Sequence, residues 1–273
     1  MVEVLYYAIP FFVLLLVVEA ISFRHYHEDA LVGYELADTR TSVTMGLGNV
    51  TINVAWKLGV LTIYAALCEL TPLRLDNHDW WLWVALFLAD DLAYYWFHRI
   101  SHVSRFFWAS HVVHHSSRHF NLSTALRQTW VPMTYLPFWL PLLLVGFPPW
   151  MVLLAQSWSL IYQFGLHTER IGRLPRPIEA VFNTPSHHRV HHGANEQYLD
   201  RNYGGILIVW DRIFGSFIPE SERVRYGLTK NIDAHNPVRV AFGEYAALMR
   251  DLRAARGWRL RAQIALRGPG WRP

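Results

Sequence analysis

Apolar runs of about 20 residues recur along this chain, the length that crosses the hydrocarbon core of a bilayer. Val4 to Ile21 is the first, with Pro10 as a kink point, and a polar loop over residues 22–42 follows it. Val43 to Leu70 is the second, interrupted by Gly46, Gly48, Asn53 and Lys57. A third runs from about Trp81 to His98, behind an interfacial belt of Trp80, Trp81 and Trp83. Two shorter stretches, about Trp130 to Val145 and Trp150 to Leu166, flank the turn Gly146-Phe-Pro-Pro149 and read as a short membrane hairpin. With 52% hydrophobic and 17% charged residues, the composition argues against one or two soluble domains. The expected fold is all-α: an integral membrane helical bundle of about 4–5 segments, with a cytosolic helical cap.

The remaining features refine that picture. Residues 1–7 hold Glu3 and no Lys or Arg, so the first run reads as a retained span rather than a signal peptide. Past His167 the chain is polar and basic, and residues 237–267 mix Trp258, Leu260, Ile264 and Leu266 with Arg, as helices on a bilayer surface do. The whole of 1–273 reads as one domain, most informative over 80–230. Arg105, Arg118, Arg127, Arg170, Arg173 and Arg176 follow the third and fifth runs, which puts that side in the cytoplasm and the N-terminus outside. The membrane is then a bacterial inner membrane, or the endoplasmic reticulum of a eukaryote. The net charge of +4 suits anionic lipid, and no nucleic-acid motif accompanies it. Cys68 is the only cysteine, so any metal site rests on His and carboxylates.

Histidines supply such a site. His98 and His102 are four apart, and His111, His114 and His115 stand at i, i+3 and i+4, each set on one helix face. His188, His191 and His192 form a third cluster with His187 beside them. Thr184 as N-cap, Pro185 at the first helical position and Gly193 as a stop punctuate that helix. His167 ends the fifth run. Nine converging imidazoles, or ten with His187, exceed the roughly four ligands of one zinc ion and suit two metals. Imidazole serves iron as well as zinc, and a dinuclear iron site with open positions can use dioxygen on an unactivated C–H bond. His25, His27, His78 and His235 read as structural or surface residues. Asp90 and Asp91 lie within an apolar span, where acids are functional candidates by default. Asp91, two turns before His98, is placed to support a ligand or pack a helix rather than to bind metal. Two rivals remain at this point. A zinc-dependent membrane hydrolase wants a glutamate base, as in HExxH, and none is present. A metal transporter or sensor wants polar residues lining several spans.

The segments HRISH (98–102), HVVHH (111–115) and HHRVHH (187–192) resemble the histidine boxes of the fatty acid hydroxylase/sterol desaturase superfamily. DLAYYWFHR (91–99), HHSS (114–117), NLSTALRQ (121–128), NTPSHHRVHHG (183–193) and NYGGILIVWDRIFGSF (202–217) are most similar to its alkylglycerol monooxygenase branch. The resemblance implies a membrane diiron oxygenase that hydroxylates or desaturates a lipid with O2. It implies the matching histidines as ligands of two Fe ions, with Zn an alternative occupant after purification. Asn121, Asn183, Asp200, Asn202, Tyr203 and Asp211 match recurrent positions, which implies that they orient ligands, shape the pocket or serve the structure alone. The implied substrate is an ether lipid, fatty acyl chain, sterol or carotenoid. Electrons come from a separate reductase or a small-molecule reductant, a pterin among them. Val103 stands where that branch tends to carry Glu, and Arg118-His119 follows HHSS where it tends to be acidic. Both departures bear on substrate and reductant and leave the metal site intact.

Overall fold

The computed structural model describes residues 4–26, 31–75 and 78–272. Among these the regular structure is helical, with isolated bridges between Phe182 and Leu207 and between Gly193 and Tyr226 but no strand. Among the described residues two helices are long and apolar enough to cross a bilayer, α1 (Val4–His25) and α2 (Leu36–Leu70). The second begins seven residues earlier than its apolar run. Glu35 caps it, its carboxylate accepting from the amides of Ala37 and Asp38 at 2.9 and 2.7 Å. Most of the second half of the expected polar loop is therefore helix, with Asp38, Thr41 and Ser42 buried.

Helix α3 (Trp80–Val103) meets α4 (Arg105–His115) at Ser104. The expected hairpin is less regular than its composition. Pro132, Pro137 and Pro141 leave a 3-10 turn and a nine-residue α5 (Leu136–Leu144), about 14 Å long at 1.5 Å per residue. The turn after it leads to α6 (Pro149–Phe164). Val60 and Tyr64 of α2, Leu82 and Leu86 of α3, Leu143 of α5 and Met151 of α6 form one buried core. Asp90 serves this core, its carboxylate accepting from the Trp139 indole at 2.7 Å.

Short helices follow: α7 (Arg176–Val181), α8 (Pro185–His191) and α9 (Val209–Ile213). Helices α10 (Pro237–Ala254) and α11 (Trp258–Leu266) end the fold. One face of α10 is taken by protein: Val240 and Ala241 pack with Val113 of α4, and Glu244 and Asp251 pair with Arg105. Val238, Phe242 and Met249 stay exposed.

The glycines in α2 admit a neighbour. A Cβ on Gly48 would overlap the indole nitrogen of Trp130, which donates to the Met45 carbonyl at 3.0 Å. Gly48→Ala gains about 1 kcal/mol of helix propensity. Overpacking against the ring costs about 1–3 kcal/mol. Net destabilisation is expected, read as a lower melting temperature in detergent.

Candidate metal centre

The histidine-bearing elements converge on one buried place. His98, His102, His111, His115 and His191 form one group, and His114, His167, His188 and His192 a second. Within each group the ligand atoms lie within 4.8 Å of one another. Helical spacing keeps the i, i+4 neighbours together. The i, i+4 pairs His98/His102, His111/His115 and His188/His192 each stay together. The intervening His114 and His191 cross to the other group, so α4 and α8 each supply both. His187 joins neither. Its ring packs on Phe217, and its Nε2 lies 3.7 Å from a Glu179 carboxylate oxygen. His25, His78 and His235 are exposed, and His27 lies outside the described residues.

Proton positions follow from the acceptors. His98 Nδ1 is 2.8 Å from the Tyr203 carbonyl, His167 Nδ1 2.8 Å from that of Gln163, and His191 Nδ1 3.0 Å from that of Arg201. A carbonyl only accepts, so these Nδ1 atoms carry the proton, and each neutral ring presents Nε2 as a bare lone pair. Burial keeps the rings neutral. It pulls His167 and His191 down to about 4 against the opposing hydrogen bonds to their carbonyls. Burial first, then neighbouring imidazoles, lower His114, His115, His188 and His192 as well.

Each of these Nε2 atoms lies against the Nε2 of another ring. Nε2 atoms stand 3.0 Å apart in His98/His111 and His114/His167, 3.1 Å in His111/His115 and His115/His191, and 2.9 Å in His167/His188. Two nitrogens bound to one ion at about 2.1 Å and at right angles would be about 3.0 Å apart. Nε2 of His102 and of His192 is buried without any hydrogen-bond partner. Buried polar nitrogens in this state call for a Lewis acid, and an all-imidazole donor set fits a first-row transition metal. Both groups therefore fit metal ions.

The chain 199–217 sets the acceptors. Asp200 and Asn202 adopt left-handed conformations, at φ 58° and 56°, which Asn and Asp tolerate better than most residues. The carbonyls of Arg201 and Tyr203 thereby reach His191 and His98. Asp211 secures the turn, accepting from the amides of Tyr203 and Gly204 at 2.8 and 2.7 Å and from the Ser216 hydroxyl at 2.7 Å. Asp91 touches no histidine. It accepts from the amides of Ile206 and Leu207 and the Trp210 indole, tying this chain to α3. The Asn183 amide donates to the carbonyls of Gly204 and Gly205, and that of Asn202 to those of His187 and Ile218. Asp200 stands 3.8 Å from His102 Nδ1. Asn121 makes no hydrogen bond to the rings and donates to the Gly33 carbonyl. Aromatic walls close the groups: Trp108 beside His102 and His115, Phe120 beside His167 and His192.

Glu19 is the residue that sequence reasoning passed over. From α1 its buried carboxylate accepts from the Leu122 amide at 2.8 Å, from Tyr34 and from Thr168, the neighbour of His167. An acid inside an apolar run was the available signal.

A family profile described as fatty acid hydroxylase matches residues 83–216, the stretch that holds all nine grouped histidines. The alkylglycerol monooxygenase of Homo sapiens is 41% identical over 242 residues, covering 87% of this chain and 54% of that protein. Those of Xenopus tropicalis and Danio rerio are 42% and 44% identical, covering 73% and 71% of this chain and 45% and 43% of their own. The chain thus spans about half the length of the curated relatives it matches. No solved structure matches it significantly. From its histidine boxes and the domain they occupy, the chain belongs to the fatty acid hydroxylase family.

Proposed function

We propose that this chain is a membrane-bound oxygenase that hydroxylates a C–H bond of a lipid at two irons held by nine histidines. The observation that carries the reading is the pairing of a five- and a four-imidazole group in one buried place. Iron held there supplies the activation of dioxygen that such a reaction needs. The protein's part is to gather neutral imidazoles, to fix the tautomers of His98, His167 and His191 through the Tyr203, Gln163 and Arg201 carbonyls, and to keep water from the rings by burial. His187, held beside Glu179, stands outside the ligand set. The bundle contributes further membrane segments from α3 and from α5–α6, with the histidines on the cytoplasmic side and α10–α11 against the bilayer. Electrons come from a separate reductase or a small-molecule donor such as a pterin.

The rivals fare worse. Both groups are built of histidine alone among the described residues, so neither holds the glutamate base of a zinc hydrolase. The histidines sit at the end of α3, on α4 and α8 and after α6, not along α1 or α2, where a transporter would need them. An alkylglycerol is the first substrate to test, since the relatives' name carries it. Val103 is exposed, and Arg118 and His119 line a separate cavity with Glu35 and Asp38, so both departures from that branch lie outside the histidine groups.

The test is to load the purified chain with iron and supply reductant, an alkylglycerol and 18O2. A product carrying one labelled oxygen supports the reading. Zinc-dependent hydrolysis in the absence of oxygen would sink it. Asp211→Ala, which frees the turn bearing Tyr203, is expected to lower metal affinity by about 10- to 100-fold. Metal retention during dialysis against a graded chelator reads this directly.

A further inference from the structure

A second cavity, of about 380 Å³, lies among α7, α8 and the segment after α9, and none of the nine grouped histidines lines it. Arg173, Arg176 and Arg212 line it, with His187, Glu179 and Glu220. The two carboxylates are already engaged. Glu220 accepts from Arg189 Nε and Nη2 at 2.9 and 2.8 Å. Glu179 Oε1 accepts from the Leu174 amide and from the Thr184 and Ser186 hydroxyls. Arg173 and Arg176 have no carboxylate partner among the described residues. Arg212 is fixed in place, donating to the Ala180 and Glu179 carbonyls and lying 3.7 Å over the Phe217 ring. His187 is 1% exposed, and its Nδ1 has no partner.

Three arginines without free carboxylates, beside the buried His187 ring, form a place for an anion rich in acceptor oxygens. The flanks narrow the choice. No residue of α7 is buried; Ile178 and Val181 are exposed, as is Ile213 of α9. Backbone bonds from Ile208 to Val181 and from Asn183 to Ile206 pin α7 beside the segment that leads into α9. Apolar side chains next to an arginine-lined cavity match a lipid with a charged headgroup, whereas a free anion has no use for them. We propose that this cavity binds phosphate, and that its occupant is the headgroup of an anionic phospholipid. The site stands apart from the metal centre and does not depend on the reaction run there. It gives His187 a role and anchors the back of α8, the helix that carries ligands of both groups.

The experiment titrates the detergent-solubilised full chain with phosphatidylglycerol, phosphatidylcholine and inorganic phosphate, and reads bound lipid by native mass spectrometry and melting temperature. Phosphatidylglycerol should be preferred over phosphatidylcholine. Arg173→Glu/Arg176→Glu, at two exposed positions, should weaken that preference by about tenfold or more. Arg223→Glu/Lys230→Glu, exposed and outside both the cavity and α10–α11, is the control and should leave it unchanged. Equal retention by the wild type and the Arg173/Arg176 variant overturns the proposal, as does an equal loss in the control. Stabilisation by inorganic phosphate alone, with no lipid preference, overturns the lipid assignment in favour of a soluble phosphate. Iron content, measured in parallel, separates this result from the fate of the oxygenase reading.

Discussion

His114→Ala should leave the four-histidine group with three imidazoles, whereas His115→Ala should leave the five-histidine group with four. The two residues adjoin in the chain but serve different groups, so a matched pair of variants separates the sites. Loss of a ligand should weaken binding by more than the roughly 10- to 100-fold typical of an outer hydrogen-bonding partner. Iron per chain, measured after dialysis against a chelator, should fall to about half in His114→Ala and less completely in His115→Ala. Product formation should be lost in both. Unchanged iron in both variants would remove the basis of the two-metal reading.

Arg127→Ala is the second large effect, and it acts on folding. Arg127 is fully buried and pairs at 3.0 Å with Asp38, itself 3% exposed. Its Nε donates to the Ser116 hydroxyl at 2.9 Å, Nη1 also reaches the Ser42 hydroxyl, and Nη2 donates to the Ala234 carbonyl. Ser117 donates to the other Asp38 oxygen at 2.7 Å. One cation therefore joins the start of α2, the serines after His115 and the chain before α10. Removing it strands a buried carboxylate, at a cost of about 3–5 kcal/mol. Thermal melts in detergent should show a large loss of stability, and Arg127→Ala/Asp38→Ala should recover part of it. A double variant no better than the single one would show that the serine and carbonyl contacts dominate.

The sequence and the structure agree where side-chain identity carries the information. The nine grouped histidines were legible because helical spacing is a property of the residues themselves, and Thr184, Pro185 and Gly193 bounded α8 as expected. The division into two groups was not legible. It depends on how α4 and α8 are rotated relative to α3, which spacing within one helix does not state. The carbonyls of Gln163, Arg201 and Tyr203 were hidden for another reason: every residue has a carbonyl, and only the path of the chain selects these. Asp91 was set apart from the ligands, and its partners, two amides of a turn more than 110 residues later, could not be read. The early start of α2 escaped notice because Glu35 is an uncommon capping residue, and the short α5 because composition outweighed its prolines.

The origin of those acceptors has a consequence for biosynthesis. His98 through His115 leave the ribosome well before the segment that fixes their partners. The Tyr203 carbonyl that meets His98 lies 105 residues further on, and the Ser216 hydroxyl that steadies Asp211 is later still. Closing so long a loop is slow compared with forming a local helix. During that interval His98 lacks the acceptor that fixes its tautomer, and His188, His191 and His192 are not yet made. Metal should therefore enter late, after the helical bundle has formed and as the 199–217 segment settles. A nascent chain stalled before that segment emerges should be inserted in the membrane yet unable to mature.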